Sequence, residues 1–204
     1  MGEEQLGQGL ETIMVTQPFL CLAVHIPKQS ILITMRHCFL FLFFSTLTTM
    51  TQAQSPHVLN PAFHEELSKL LSFSVKTMDV DQLKALLPEV VLLDAREPKE
   101  YKVSHIPGAL NIGYNHPDFT VLNGVPKDAT IVVYCSVGYR SEKIGEKLEG
   151  LGFKNVFNLY GSIFEWANRG YTLQNSQGEP TDSLHTFNDT WSKWVDNPGV
   201  KKTW

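Results

Sequence analysis

Only three cysteines occur among the 204 residues, Cys21, Cys38 and Cys135, and no two of them form Cys-x-x-Cys. That pattern disfavours dithiol exchange of the thioredoxin type. Basic residues are also scarce: Lys and Arg total 17 against 21 Asp and Glu, a net charge of −4. The basic surface expected of a nucleic-acid binder is therefore not indicated. There is no glycine-rich nucleotide loop, no internal repeat and no low-complexity tract. His57, His64, His105, His116 and His185 are scattered, with no pair at ligand spacing, so neither a metal nor a cofactor is expected. The composition is 43% hydrophobic and 19% charged, which suits a soluble globular protein with a sizeable core.

Long apolar runs are equally few. "CFLFLFFSTL" (38–47), preceded by Met35-Arg36-His37 and followed by "TQAQS" (51–55), is shorter than the roughly 20 residues of a spanning helix. A short basic start, an apolar stretch and small residues at Thr51 and Ala53 make the plan of a secretory signal peptide over 35–53. A secreted, periplasmic location is the expectation, and retention as a membrane anchor is the alternative. Residues 1–34, with Glu3, Glu4 and Glu11, fit poorly ahead of such a signal and read as an extension upstream of a start at Met35. Cleavage after Ala53 removes Cys21 and Cys38. Cys135 is then a lone cysteine in an oxidising compartment, unable to form an internal disulfide. It is a packing residue, an intermolecular partner or a reactive thiol.

The remainder alternates strands and helices. "PAFHEELSKLLS" (61–72) has apolar residues at helical spacing. Asp79 is placed to cap "VDQLKALL", with Gln82 in capping-box position and Pro88 as the stop. "VVLLD" (90–94) and "TIVVYC" (130–135) are continuous apolar runs, the pattern of parallel strands buried on both faces. "EPKEY" (97–101) predicts a short helix, 105–112 a turn leading into a strand, and 113–127 a loop. Residues 141–149 predict a helix, 155–160 a strand and 161–170 a last helix ended by Gly170. The order argues an α/β domain with a parallel sheet. In such sheets, sites form beyond the carboxyl ends of the strands; Asp94 and Cys135 both lie there. From 175 onward a polar, turn-rich stretch leads to Trp191, Trp194, Val195 and Trp204. This tail reads as an arm packing back on the domain, or alternatively as a partner-binding surface.

"VVYCSVGYRSEKIG" (132–145) carries the chemistry. A strand stops at Cys135, and Arg140 stands where a helix begins. A loop curling into a helix turns several N–H groups inward, and the helix start adds unpaired N–H groups and partial positive charge. Together they form an anion cradle around the sulfur. A thiol there falls below its usual pKa of about 8.5. Gly138 permits close backbone approach or positive φ, and Arg140 can fork onto an anion or brace the loop. A cradled thiolate can attack the outer sulfur of a donor and hold it as a persulfide.

This loop resembles the active-site loop of the rhodanese family of sulfurtransferases. "LLDAREPKEYKVSHIPGALNI" (92–112) resembles the family's first motif and "LGFKNVFNLYGSIFEWANRGY" (151–171) its last. The three motifs occur in family order within about 75–172. The resemblance implies a rhodanese-like domain over 61–172, a five-stranded parallel sheet with helices on both faces, and a C-terminal arm over 173–204. It implies Cys135 as the nucleophile and a cradle from the backbone N–H groups of Ser136, Val137, Gly138, Tyr139 and Arg140. Asp94 and Ser141 are expected to support the loop, Asp94 by bracing Arg140 or the loop itself, or else merely by capping the next segment. The implied partners are a small sulfur donor such as thiosulfate and a thiol or cyanide acceptor, with no nucleic acid and no membrane span after cleavage.

The Cys135–Arg140 spacing is C-x4-R. Related phosphatases and arsenate reductases use C-x5-R, and the longer loop suits a tetrahedral oxyanion; the shorter one suits a single sulfur atom. A non-catalytic binding module and a phosphatase or arsenate reductase are the competing functions. Some thiosulfate-using members carry extra basic side chains in the loop, where this chain has Val137 and Tyr139, which puts thiosulfate as the physiological donor in doubt. His105 is expected to be structural. Tyr160 and Trp166 are read as core, with walls of the pocket as the alternative.

Overall fold

The computed structural model describes residues 57–204. The expected extension 1–34 and signal segment 35–53 lie outside the described residues. Helix α1 (Pro61–Leu70) begins at the Asn60 cap, whose side chain accepts from the N–H groups of Ala62 and Phe63, two of the donors that an α-helix start leaves unpaired. Strand β1 (Lys76–Met78) leads into α2 (Val80–Leu86), which opens on the Asp79–Gln82 capping box. Next come β2 (Val91–Asp94), α3 (Pro98–Val103) and β3 (Leu110–Asn111). A 3₁₀ turn (Phe119–Leu122), started by Asp118, interrupts the stretch expected to be loop. Then β4 (Thr130–Tyr134), α4 (Tyr139–Gly150), β5 (Asn155–Leu159) and α5 (Ser162–Asn168) complete the alternating part.

The sheet has five parallel strands in the order β1-β5-β4-β2-β3, the α/β architecture that the continuous apolar strands indicated. Strand β4 lies at its centre, in register with β2 (Asp94 opposite Tyr134) and with β5 (Val133 opposite Asn158). The two-residue alternation of a strand sends Val132 and Tyr134 into one core and Ile131 and Val133 into the other. The first core is closed by α1, α2 and α5 through Phe63, Leu67, Leu83, Ile163 and Phe164. The second is closed by α4 through Ile144 and Leu148. Cys135 continues the alternation one residue past the strand, its side chain on the α4 side.

After α5 the chain forms β6 (Leu173–Gln174) and β7 (Pro180–Thr181), an antiparallel pair. It then forms β8 (Ser183–His185), the short helix α6 (Asp189–Ser192) and β9 (Lys201–Thr203), with β8 and β9 parallel. Leu184 and Val195 of this segment are buried in the first core. Trp194 stacks on Phe63 with ring centroids 5.3 Å apart, and Asn168 donates to the Trp194 carbonyl at 2.9 Å. Among the described residues, no helix is long and apolar enough to cross a membrane.

Candidate active site at the end of the central strand

The loop 135–138 turns back over the carboxyl end of β4. Two N–H groups at the start of α5 hold it from below: Ile163 donates to the Cys135 carbonyl and Phe164 to the Ser136 carbonyl, each at 3.2 Å. The Cys135 N–H donates to the Ser162 hydroxyl, also at 3.2 Å. Gly138 stands at φ +126°, in a region open to glycine and strained for any other residue. That conformation lets its N–H donate to Cys135 Sγ at 3.1 Å. The Gly138 carbonyl in turn accepts from Asn158 Nδ2 at 3.0 Å. The Ser141 hydroxyl lies 3.0 Å from the same carbonyl oxygen and 2.7 Å from Asn158 Oδ1.

Helix α4 begins at Tyr139, two residues before the expected Ser141. Tyr139, Arg140 and Ser141 thus form its first turn, where backbone N–H groups have no partner within the helix. The sulfur sits over this turn, with the Gly138 N–H directed at it. The N–H groups of Ser136, Val137, Tyr139 and Arg140 find no acceptor among the described residues.

Burial acts to raise the Cys135 thiol pKa. The Arg140 guanidinium outweighs it, together with hydrogen bonds from Ser141 and Gly138, and the thiol lies below its ordinary range. The sulfur is nearly inaccessible, the residue being 1% exposed, but it is not sealed among hydrocarbons. Cys135 and Ser136 line a pocket of about 140 Å³ together with Leu70, Val137, Tyr139, Arg140, Phe187 and Trp191.

Arg140 is held by a carboxylate the sequence reading did not pick out. Its Nη1 and Nη2 donate to Glu100 Oε2 and Oε1 at 2.7 and 2.8 Å, and Nη2 also donates to the Ser136 hydroxyl at 3.0 Å. Burial acts to raise the Glu100 pKa, but the bonds and charge of Arg140 prevail and hold the carboxyl below its usual range. Of the two expectations for Asp94, the structure shows the cap of the next segment and corrects the bracing of Arg140 or the loop. Asp94 is fully buried and grips Arg96 instead, accepting from its backbone N–H at 2.9 Å, from Nε at 3.0 Å and from Nη2 at 2.6 Å. The physical reason is proximity: Arg96, two residues on, folds back over the strand end and covers both carboxylate oxygens. A further Arg96 bond, Nη2 to the Ser104 carbonyl at 2.6 Å, ties this pair to the turn after α3.

The other candidates fall in place around this centre. Ser136 is buried and receives Arg140; Val137 is buried on the pocket side; Tyr139 is half-exposed at the rim. His105 stacks on Tyr101 with centroids 3.9 Å apart, away from the sulfur pocket's lining. Tyr160 and Trp166 are buried in the first core and do not line the pocket. Three participants escaped the sequence reading: Glu100, Phe187 and Trp191. Glu100 sits in "EPKEY", where it also accepts from the Glu97 N–H in a capping box, so its sequence signal is that of an ordinary helix start.

A family model described as Rhodanese-like domain matches residues 79–169. The chain is also 30% identical over 122 residues to thiosulfate:glutathione sulfurtransferase of Saccharomyces cerevisiae, across 52% of this chain and 87% of that one. It belongs to the rhodanese-like family. A sulfurtransferase of Allochromatium vinosum is 32% identical over 104 residues, across 51% of this rhodanese-like chain and 96% of the relative. The tRNA uridine(34) hydroxylase of Bdellovibrio bacteriovorus is 33% identical over 95 residues, but the match spans only 27% of that protein.

Proposed function

We propose that this rhodanese-like protein is a sulfurtransferase that carries sulfane sulfur on Cys135. The single observation behind the reading is a thiol at the end of the central strand that accepts from the Gly138 N–H, over the first turn of α4, in a residue that lines an open pocket. Its thiolate attacks the outer sulfur of a donor such as thiosulfate. A sulfur–sulfur bond forms at Sγ, the donor's own S–S bond breaks, and sulfite leaves with the bonding electron pair. The terminal sulfur of the persulfide lies among the N–H groups of residues 136–140 that lack other acceptors, and these stabilise its negative charge. Cyanide or a thiolate then attacks the terminal sulfur and the Cys135 thiolate is regenerated. Two relatives named as sulfurtransferases, each covered over most of its length, support the same assignment.

The test is mass spectrometry of the full-length chain after exposure to several sulfane-sulfur donors. One added sulfur on Cys135, removed by cyanide and absent in Cys135→Ser, is the expected result. A folded protein that takes sulfur from none of them would instead favour the binding-module reading, and turnover of an aryl phosphate would favour the phosphatase. The proposed site of action is the periplasm, on the strength of the signal-like segment 35–53. N-terminal sequencing of the native protein is expected to begin at Gln54, and a start upstream of residue 35 would refute it.

A further inference from the structure

The walls of the Cys135 pocket come from two parts of the chain. The sheet domain supplies Leu70, Val137, Tyr139 and Arg140, while the C-terminal segment supplies Phe187 and Trp191. Apart from Arg140, the small Ser136 and Cys135 itself, every side chain lining the pocket is apolar or aromatic. Arg140 is the only cation lining it among the described residues, and its guanidinium is already engaged. Both Glu100 oxygens take its N–H groups, Ser136 takes another, and the Phe187 ring lies 5.2 Å from its central carbon. Once the thiol is ionised, the charges of Cys135, Arg140 and Glu100 leave the site with a net single negative charge. A dianion such as thiosulfate meets no unpaired cation there.

Phe187 itself is held in an uncommon conformation. Its φ is +68°, and it is 51% exposed. A bulky residue in the left-handed region is strained and persists only where its surroundings impose it. Here those surroundings are the Phe187 N–H donating to His185 Nδ1 at 3.1 Å and the Asn188 N–H donating to the Thr186 carbonyl at 2.8 Å. The strain directs an aromatic ring over the pocket instead of into the core. On the neighbouring wall, Trp191 is fixed by α6, whose Asn188 cap accepts from the Trp191 N–H at 3.0 Å. The resulting space of about 140 Å³ is close to the roughly 150 Å³ apolar cavity that holds a benzene molecule.

We infer that the C-terminal segment makes this pocket a recognition site for organic sulfane-sulfur donors bearing one apolar group, thiosulfonates and persulfides of the R–SO₂–S⁻ and R–S–SH types, in preference to thiosulfate. This rests on the sulfur-transfer reading above and narrows its substrate class. With a thiosulfonate, Cys135–S⁻ bonds to the outer sulfur, the S–S bond to the sulfonyl group breaks, and the sulfinate R–SO₂⁻ leaves with the electron pair, giving Cys135–S–S⁻. With a hydropersulfide, the same attack releases R–S⁻ and leaves Cys135–S–SH. Neither step needs an outside oxidant or reductant. The apolar R group occupies the space between Leu70, Phe187 and Trp191, and the single negative charge of a thiosulfonate is the most this site accommodates.

Steady-state thiocyanate formation by the full-length chain, with benzenethiosulfonate, methanethiosulfonate and thiosulfate as donors and cyanide as acceptor, tests this. The expected kcat/KM for the benzene donor exceeds both others by about tenfold or more, the scale on which an apolar pocket rewards added hydrocarbon. Phe187→Gly and Trp191→Ala are expected to pull the benzene-to-methane ratio of kcat/KM towards one. Because glycine accepts φ +68° freely, Phe187→Gly is expected to keep or raise the thermal midpoint, so it decides the matter even if Trp191→Ala does not fold. A ratio unchanged in Phe187→Gly overturns the inference, as does thiosulfate matching the benzene donor; in both cases the sulfurtransferase assignment stands. Failure of every donor to load Cys135 overturns that assignment, and this inference with it.

Discussion

Two arginine–carboxylate pairs whose acids, Asp94 and Glu100, stand six residues apart do different work. Asp94–Arg96 joins residues two apart, and both side chains are wholly excluded from solvent. Glu100–Arg140 spans forty residues, and Arg140 keeps 13% of its side chain exposed. The first pair closes the end of β2 and, through the Ser104 carbonyl, secures the turn after α3. The second pair holds Arg140 beside the loop that carries Cys135. Burial explains the division. The Asp94–Arg96 pair faces only protein, whereas the Arg140 guanidinium keeps some exposure along the pocket wall and acts on the neighbouring thiol. Even the buried pair is imperfect, since Arg96 Nη1 has no hydrogen-bond acceptor among the described residues. Its value lies in fixing geometry more than in net stabilisation.

The largest break in this comparison comes from Asp94→Ala. It leaves a fully buried guanidinium without its carboxylate, a change that costs about 3–5 kcal/mol. For a chain of this size the thermal midpoint is expected to fall by about 6–20 °C, measured by circular dichroism. If Asp94 braced the loop instead, the loss would fall on sulfur transfer while the midpoint stayed in place.

Gly138→Ala comes next. Its φ of +126° strains any side chain, and an added Cβ would meet Leu71 Cδ2 at 3.3 Å. Strain of this kind costs about 1–3 kcal/mol. Relief of that strain by rotating the peptide takes the N–H off the sulfur, so the thiol pKa is expected to rise. A lower midpoint in thermal unfolding, together with an alkaline shift of iodoacetamide alkylation, is the expected pair of results.

These residues also show how far the sequence could be read. Continuous apolar runs at 90–94 and 130–135 have a single comfortable environment, the middle of a parallel sheet, so the sheet and the position of Cys135 at its edge were legible. So was Gly138, because a cysteine loop entering a helix needs one residue free of a Cβ. Glu100 was not legible: a glutamate in the first turn of a short helix looks the same whether it faces water or an arginine forty residues away. Asp94 stayed between bracing Arg140 and capping the next segment because its strand-end position fits both, and only the local fold decides that Arg96 reaches it first. Phe187 and Trp191 come from a segment whose polar, turn-rich composition predicts packing against the domain but not which ring lands over the sulfur.

Glu100→Gln probes the other pair. The Glu100 side chain is 1% exposed, but the amide of the variant still accepts from Arg140, so losing the charge assistance costs about 1–2 kcal/mol, less than removing a partner outright. The pH dependence has a definite sign. The folded-state pKa of Glu100 is depressed, so its contribution is present above the ordinary carboxylate value of about 4.3 and is lost as pH falls through the lower, folded value. The variant is expected to flatten that acid limb of a denaturation series. It also frees Arg140, so thiosulfate turnover is expected to improve relative to benzenethiosulfonate. A parallel fall for both donors would mean that Glu100 only positions the loop.

The smallest effect belongs to Ser141→Ala, and it isolates the hydroxyl from the ion pair. The Cys135 pKa is lowered in the folded state, so the thiolate contributes stability that is fully present above the ordinary thiol value of about 8.5 and is lost as pH falls through the folded value. Alkylation of the folded protein by iodoacetamide is therefore expected to reach its half-maximal rate below that ordinary value. Removing the Ser141 hydroxyl takes away one of the bonds that favour the thiolate but leaves Arg140 and the Gly138 N–H in place. The half-point is expected to move upward by less than in Gly138→Ala, with stability changed by about 1 kcal/mol or less. A half-point that does not move would assign the hydroxyl to Asn158 and the Gly138 carbonyl, making Ser141 a brace for the loop and leaving the sulfur's ionisation to the guanidinium and the backbone.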